Sequence, residues 1–270
     1  MGNKCLVTSL NGVINDNSLL KVGELRIKVT KLAEPKASNR KFQIQSNKTI
    51  VVSIVGNGYF TDSNLSTNKG TELTINPGYK QAYYFSNGDY EISISDKYSL
   101  EILDFYNTEV KFDVNSLMAV KKLYGLNLYE TDSEGDIKVL EGSTNMQYFY
   151  VGKTNITGDF AVLQNCSNLL EMQLSGSLVY GDLAMLPNSL LKVYGSDKTL
   201  NWTASARTQA FISLIGVKCN NIDQMLKDLA TMEIPSSEDK VYSLYGTRTS
   251  ASDNAVSTLQ SKGYTISIIN

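Results

Sequence analysis

The sequence predicts an α+β protein that is mostly β, with a small antiparallel β-sandwich followed by a short, irregular solenoid. Before residue 99, short runs of alternating apolar and polar residues are separated by turn residues, which is typical of antiparallel strands. After residue 99, one short pattern of apolar residues, which we call the word, occurs seven times. We therefore divide the chain into an N-terminal arm at 1–22, a sandwich domain at 23–98 and a repeat domain at 99–270.

The recurring word has an apolar residue, two free positions, an apolar residue, one free position, and an apolar residue or glycine. Successive words begin at positions 100, 120, 146, 169, 190, 211 and 241. These steps are close to the roughly 20–29-residue period of leucine-rich repeats, in which each repeat adds one strand to a solenoid. We expect the fixed positions to face the core and the free positions to face solvent on the concave side. The words are Leu100/Leu103/Phe105, Val120/Leu123/Gly125, Met146/Phe149/Val151, Leu169/Met172/Leu174, Leu190/Val193/Gly195, Phe211/Leu214/Gly216 and Val241/Leu244/Gly246.

The region from 23 to 98 has the pattern of half-buried antiparallel strands. Leu25, Ile27 and Val29 alternate with polar residues, and further runs follow at 42–44, 49–55, 71–75, 81–85 and 90–95. Glycine, asparagine and proline stand between the runs, as tight turns require. No linker precedes the first repeat, so we expect the sandwich to be joined rigidly to the solenoid and to cap its first end.

The last part of the chain has helical spacing. A helix is predicted over 221–232, with Asn221 as its cap and Pro235 beyond its end. A second helix is predicted over 252–261, and a last strand over 265–269. Because terminal repeats must close the open end of a solenoid core, we expect this helix and strand to form the C-terminal cap.

Composition excludes several functions. The chain has no histidine, which removes Ser-His and Cys-His catalysis and the usual zinc sites. A net charge of −2 without a Lys/Arg run argues against nucleic acid as a partner. Cys5, Cys166 and Cys219 form no C-x-x-C pair, and the acidic run at 132–136 lacks the spacing of a calcium loop. We therefore expect no catalytic residue, cofactor or metal, and a protein that is not an enzyme.

Tyrosines are frequent at and beside the free positions of the word. A tyrosine offers a large apolar body and a polar tip, so an exposed row of tyrosines is typical of a binding face. A protein is the favoured partner and a carbohydrate the second. The alternative is that these side chains only pack against each other across the sheet. The predicted concave binding face consists of Tyr124, Tyr148, Tyr150, Tyr194, Tyr242 and Tyr245.

The N-terminal arm combines apolar side chains with polar clusters. It is either a flexible tail or an arm that anchors the protein on a neighbouring subunit. No export signal is visible, and no apolar run is long enough for a membrane helix, so we expect no membrane contact. The residues predicted to anchor the arm are Leu6, Val7, Leu10, Ile14, Leu19 and Leu20.

Residues 1–13 and 55–62, the threonine-rich repeats and the Gly-Asp pattern at 156–160 and 179–183 together resemble virion-associated proteins of crAss-like and related phages of Bacteroides. The resemblance implies a head fibre or auxiliary capsid protein, assembled in the host cytoplasm and located in the virion. Its N-terminal part would dock on the capsid or other virion proteins. Its repeats would face outwards for adhesion to a host-surface protein or glycan, or for lattice contacts, and a homo-oligomer is possible. The alternative is a bacterial cell-surface leucine-rich-repeat adhesion protein.

Overall fold

The computed structural model describes residues 23–29, 40–56, 60–62, 67–68, 71–85, 90–106, 108, 110–203, 207–236 and 239–269. The predicted arm and its anchoring residues Leu6, Val7, Leu10, Ile14, Leu19 and Leu20 lie outside these ranges. None of the helices in the described ranges has the length and apolar character needed to cross a membrane.

The described chain is mostly β, with two α-helices and six short 3₁₀ helices. The strands are β1 Leu25–Val29, β2 Arg40–Ser46, β3 Ile50–Gly56, β4 Phe60–Asp62, β5 Thr67–Asn68, β6 Thr71–Ile75, β7 Gln81–Phe85, β8 Tyr90–Ile94, β9 Leu100–Asp104, β10 Val110–Lys111, β11 Gly125–Asn127, β12 Glu134–Asp136, β13 Tyr148–Tyr150, β14 Asn155–Asp159, β15 Glu171–Gln173, β16 Leu178–Tyr180, β17 Lys192–Tyr194, β18 Ser213–Lys218, β19 Lys240–Tyr245 and β20 Tyr264–Ile269. The helices are α1 Ile222–Thr231 and α2 Asp253–Ser261, with 3₁₀ turns at Lys97–Ser99, Val114–Leu117, Ile137–Leu140, Phe160–Leu163, Leu183–Met185 and Ser250–Ser252.

The N-terminal strands contribute to two sheets. One is a five-stranded antiparallel sheet in the order β10-β1-β8-β3-β6. Alternate residues of its central strands, such as Ile27, Ile54 and Ile92, are fully or almost fully buried, as the period of two predicts. Val51 on β3 is exposed, so this strand has one solvent face although its sequence is apolar on both.

The other sheet has twelve strands and runs through the whole molecule, in the order β20-β19-β18-β17-β15-β13-β11-β9-β2-β7-β4-β5. Strand β2 pairs antiparallel with β9, the first strand of the repeats. Strand β10, which follows β9 in sequence, pairs antiparallel with β1 of the five-stranded sheet. Residues 23–98 are thus hydrogen-bonded to the repeats through both sheets, which agrees with the absence of a linker.

From β9 onwards each coil adds one parallel strand in register with the last. The central strand residues lie side by side, they recur at nearly even steps along the chain, and all are fully buried. They are Leu103, Leu126, Phe149, Met172, Val193 and Leu214. This parallel register establishes a leucine-rich-repeat-like solenoid.

Two of the seven predicted words are wrong in phase. In the second coil the fixed positions are Leu123, Leu126 and Leu128, so the word begins at Leu123 and not at Val120. The error arises because Val120 is also buried and gives the sequence a second apolar triplet at the same spacing. In the last coil Tyr242 pairs with Leu214 and Leu244 with Val217, so Tyr242 and not Leu244 holds the fourth position. The sixth word has the correct fourth position, but β18 shifts register between Ile215 and Val217, and the buried Val217 replaces Gly216 as its sixth residue.

The convex side repeats as regularly as the concave side. Asp113, Asp136, Asp159 and Asp182 each cap a 3₁₀ turn by accepting a hydrogen bond from the backbone N–H two positions later. In the last three of these turns the residue before the aspartate is a glycine with positive φ. The predicted Gly-Asp return pattern is therefore a turn in which the glycine of one coil lies against the aspartate of the coil before.

The C-terminal helices and last strand lie where the sequence predicts them. Asn221 precedes α1, but its side chain does not cap the helix; the residue is left-handed, and its Nδ2 donates to the Trp202 carbonyl. Trp202 is buried, with Nε1 donating to Asp228 of α1 at 2.7 Å, so it packs the helix onto the preceding coil.

Candidate functional site

The concave face is formed by strand residues that flank the buried central positions. On β13 the central residue Phe149 is fully buried, and its neighbours Tyr148 and Tyr150 point to the opposite face because side chains alternate along a strand. Tyr194 holds the same position on β17 as Tyr150 does on β13. The sheet register thus places these tyrosines on one surface.

Tyr148 and Tyr150 form the centre of this surface. Their ring centroids are 6.1 Å apart at an interplanar angle of 58°. Tyr148 is 38% exposed, whereas Tyr150 is only partly exposed. Burial, followed by the charge of Glu171 and a hydrogen bond to it, raises the pKa of Tyr150 well above its usual range. Tyr150 is therefore a phenol close to the Glu171 carboxylate and next to a ring that solvent can reach.

Tyr124 extends the surface towards the N-terminal strands. Its hydroxyl donates to Gln45 Oε1 at 3.1 Å, and Gln45 Nε2 donates to Glu101 Oε2 at 3.0 Å. Burial and the nearby Glu101 charge are the main causes that raise the pKa of Tyr124. Since Gln45 belongs to β2 and Tyr124 directly precedes β11, this chain of bonds joins the tyrosines to residues before the repeats.

Tyr242 was predicted to lie on the binding face, and that prediction is wrong. The side chain is fully buried, and its hydroxyl donates to the Phe211 carbonyl at 2.9 Å. Tyr264 donates to the same carbonyl at 2.7 Å, and the two rings are 4.5 Å apart. The physical reason is that Tyr242 pairs with Leu214 and Leu244 with Val217, so Tyr242 and Leu244 hold the fourth and sixth positions of the last coil, which the predicted word gave to Leu244 and Gly246.

Tyr245 is 39% exposed but lies apart from the other tyrosines. It pairs with Lys218 and Ile269 at the ends of the last three strands. There it lines a shallow polar groove with Asn221 and Thr247. The structure thus brings together Tyr124, Tyr148, Tyr150 and Tyr194, which we call the tyrosine cluster, and excludes Tyr242 and Tyr245 from it.

The sequence did not assign Gln45, Glu101 and Glu171 together to this surface. Glu171 pairs across the sheet with Tyr148 on one side and with Lys192 on the other. It holds the same position in its word as Tyr148 holds in the word before, so strict periodicity could have identified it. No periodic position in the sequence indicates Gln45, because only the pairing of β2 with β9 brings it to the concave face.

This arrangement suits recognition by contact. The tyrosine cluster offers aromatic rings and phenol hydroxyls, and the neighbouring Glu101 and Glu171 add two carboxylates. On a rigid sheet these groups can pack against a partner and form hydrogen bonds with it. Among the residues that the structure describes, no group of three or more Cys, Asp or Glu side chains could hold a metal ion.

No protein-family model and no curated protein matches the chain. Among solved structures it is similar to PEPR1 in complex with AtPEP1, with a TM-score of 0.43 and 13% identity over 63% of this chain and 25% of that one. The leucine-rich-repeat ectodomain of GASSHO1/SCHENGEN3 from Arabidopsis thaliana, in complex with CASPARIAN STRIP INTEGRITY FACTOR 2, gives 0.43 and 13% over 63% and 21%. An internalin, InlF, from Listeria monocytogenes gives 0.28 and 13% over 63% and 66%. The chain spans about a quarter or less of the two plant receptors, and its parallel coil register is what identifies the fold as leucine-rich-repeat-like.

Proposed function

We propose that this protein is a non-enzymatic binding protein that holds a protein partner on the concave face of its repeats. The observation that carries the proposal is the tyrosine cluster: four tyrosines from three coils on one face of a continuous sheet, with Tyr148 at 38% exposure. Tyrosine makes large contact areas at a low cost in conformational entropy. The bond from Tyr124 to Gln45 lowers that cost further by fixing one ring before binding.

A pair of photo-crosslinking variants tests the face directly. The photoreactive residue p-benzoylphenylalanine replaces Tyr148 on the concave face or, as the matched control, Tyr180, which is 46% exposed on β16 of the convex side. Crosslinks to a protein partner from position 148 and not from position 180 are expected. Crosslinks only from position 180 would place the partner on the other side of the solenoid and refute the proposal.

A triple variant measures how much the cluster contributes. Replacing Tyr148, Tyr150 and Tyr194 by serine should weaken binding of the crosslinked partner while the thermal unfolding midpoint changes little, because these side chains lie outside the buried core. Tyr180→Ser should leave binding unchanged. Unaltered binding by the triple variant would mean that the tyrosines only pack across the sheet.

The biological setting we propose is the virion of a crAss-like Bacteroides phage. Support comes from the resemblance of residues 1–13 and 55–62 and of the Gly-Asp turns to virion-associated proteins of such phages. In this setting residues 1–98, with a sandwich at 23–98, dock on the capsid and the concave face points outwards. Mass spectrometry of purified virions tests the setting, and absence of the protein there would refute it.

The docking part of the proposal has its own test. Deleting residues 1–20 should prevent incorporation into virions if Leu6, Val7, Leu10, Ile14, Leu19 and Leu20 form the anchor. Normal incorporation of the deletion variant would exclude the arm as the anchor. Detection of the protein on the surface of uninfected bacteria would instead support the alternative of a cell-surface adhesion protein.

A further inference from the structure

The last strand of the twelve-stranded sheet has one side without a neighbour among the described strands. Strand β20 pairs with β19 along its whole length from Tyr264 to Ile269, and it ends the strand order of the sheet. None of its residues is charged, and none is glycine or proline. Thr265, Ser267 and Ile269 are exposed on the concave side, and Ile266 and Ile268 are only partly buried against the core.

The other sheet edges in the described chain have the protections that proteins use against strand addition. Strands β5 and β10 are very short, and β6 includes Glu72. The convex side has a third, three-stranded parallel sheet in the order β12-β14-β16, and its edge strand β12 consists of two acidic residues around a glycine. Beside β16, the Ser196 hydroxyl donates to the carbonyls of Ser177 and Val179. Strand β20 is longer than these edges and has none of their features.

The backbone direction of β20 follows from one hydrogen bond. Gly246 N–H donates to the Ile269 carbonyl at 3.0 Å, so the peptide groups of Ile269 face β19. Because alternate residues of a strand direct their N–H and C=O groups to opposite sides, Ile266 and Ile268 direct theirs away from β19. Tyr264 has the same direction, so the outer edge presents three donors and three acceptors in line.

We propose that β20 pairs antiparallel with β20 of a second copy of this chain, about a two-fold axis that passes beside Ser267. In this register Ile266 lies opposite Ile268 of the second copy, and the reverse pair follows by symmetry. Both pairs have their peptide groups directed at each other, so four backbone hydrogen bonds form. Ser267 lies opposite Ser267 of the second copy as a non-hydrogen-bonded pair.

Self-pairing suits this edge better than pairing with a charged segment. Two copies bring together no like charges, since β20 is uncharged. They also cover the partly buried Ile266 and Ile268 of both chains with each other, which extends the apolar core across the axis. The axis is perpendicular to the sheet, so both concave faces open to the same side and the dimer can hold two partners at once. This inference does not depend on what the concave face binds.

Charge substitutions at the axis provide the first test. Ser267→Glu places two carboxylates opposite each other, and like charges directly across strands are unfavourable, so the dimer should dissociate about fivefold more readily. Ser267→Lys should do the same, and an equal mixture of the two variants should restore the dimer. The matched control is Ser243→Glu, which lies beside Ser267 one strand further in. Sedimentation velocity measures the masses, and circular dichroism verifies that each variant is folded.

A cysteine at the axis provides the second test. Opposed non-hydrogen-bonded residues are about 4.5 Å apart between Cα atoms, which a disulfide can span. In a Cys5→Ser background, Ser267→Cys should form a covalent dimer on oxidation and Ser243→Cys should not. A wild-type protein that stays monomeric at its highest soluble concentration would overturn the proposal. So would a Ser267→Glu dimer that dissociates no more readily than the wild-type dimer, because it would form through another surface.

Discussion

The coils from Leu100 to Leu190 differ from the coils that follow in how their polar groups are satisfied. In the first region one bond recurs at the same place in successive coils: Thr131, Thr154 and Ser177 each donate a hydroxyl hydrogen bond to the carbonyl three positions before. In the second region a single side chain, Arg207, donates to four carbonyls, those of Leu186, Pro187, Leu190 and Gln209. The first region thus satisfies one carbonyl in each coil with a short hydroxyl side chain. The second satisfies four carbonyls with one long side chain.

The difference follows from coil geometry. Where each coil has the same length, the same residue type meets the same backbone atom one coil later, and a short side chain is sufficient. After Leu190 the coils change in length, β18 contains a register shift, and α1 replaces a 3₁₀ turn. Arg207 reaches back from the irregular part to the carbonyls of Leu186, Pro187 and Leu190 and also binds that of Gln209, which requires a long side chain with several donors, as arginine has. We therefore expect substitutions in the second region to have larger and less uniform effects.

The largest effect is expected for Arg207→Ala. The guanidinium is buried over the Phe211 ring at 4.0 Å, and its removal leaves four carbonyls without these donors. We expect a loss of about 4 kcal/mol in the free energy of unfolding, measured with urea. The control Arg248→Ala removes an exposed pair with Asp253 and should cost less than about 1 kcal/mol. Equal effects of the two variants would contradict the contrast between the regions.

In the regular region we expect a substitution to lower the free energy of unfolding strongly only where adjacent coils are in closest contact. In Gly158→Ala, at φ +121°, the added methyl overlaps the Asp136 carboxylate and comes within 2.8 Å of Ile137 Cγ1. We expect a loss of about 3 kcal/mol, from steric overlap and the left-handed backbone together. Gly78→Ala, at φ +76° with nothing within 4 Å, has the backbone cost alone and should lose about 1 kcal/mol. Thermal or urea unfolding distinguishes the two, and a Gly158→Ala loss as small as that of Gly78→Ala would show that adjacent coils can separate.

Alkaline pH should destabilise the protein through its buried thiols, more strongly in the irregular region. Burial, and to a smaller extent the Asp182 charge, raises the pKa of Cys219 from 9.0 to about 12, whereas burial raises that of Cys166 to about 11. A raised folded-state pKa contributes stability that is complete below the unfolded value and is lost as pH rises towards the folded value. Between pH 9 and about 12 the unfolded state ionises first, so stability falls.

The pH effect is measured by urea unfolding at pH 8 and at pH 10.5. At the higher pH, Cys219 alone should account for a loss of about 2 kcal/mol relative to pH 8. Cys219→Ala should therefore lose correspondingly less stability between these pH values than the wild-type protein does. An unchanged pH dependence in Cys219→Ala would mean that other groups, such as buried tyrosines, cause the loss.

The smallest losses in the free energy of unfolding are expected for the aspartates that cap the 3₁₀ turns, and they should be equal from coil to coil. Asp113→Ala, Asp136→Ala and Asp159→Ala each remove one cap of a 3₁₀ turn and should each cost about 1 kcal/mol. Asp182→Ala should cost more, because its carboxylate also accepts hydrogen bonds from the Thr203 amide and hydroxyl where the coils become irregular. Unfolding free energies that scatter widely among the first three variants would show that the repeats are not energetically equivalent.

Much of the architecture was predictable because periodicity is a local property. The period of two identified strands β1 to β3 and β6 to β8, and helical spacing identified α1 and α2. Strands β4, β5, β10, β12 and β16 have only two or three residues and were not predicted separately, and β14 lies in the segment predicted as a Gly-Asp turn. The word had the correct fourth position in five of the seven coils. It failed where Val120 imitated a first position and where Leu244, the sixth residue of its coil, matched the fourth position, and the shift in β18 moves the sixth position of the sixth coil from Gly216 to Val217.

The sequence by itself determined that parallel coils form and that Tyr148, Tyr150 and Tyr194 lie outside the core, because each of these depends on spacing within one coil. Only the tertiary structure decided that Tyr242 is buried, since the pairing of β19 with β18 places it beside Leu214, whereas the predicted word had placed Leu244 there. Only the structure placed Gln45 beside Tyr124, because their contact depends on a strand pairing between residues far apart in the chain. The physical reason is the same in both cases: hydrophobic patterning specifies which face of a strand is buried, and hydrogen-bond register between strands specifies which neighbours that face meets.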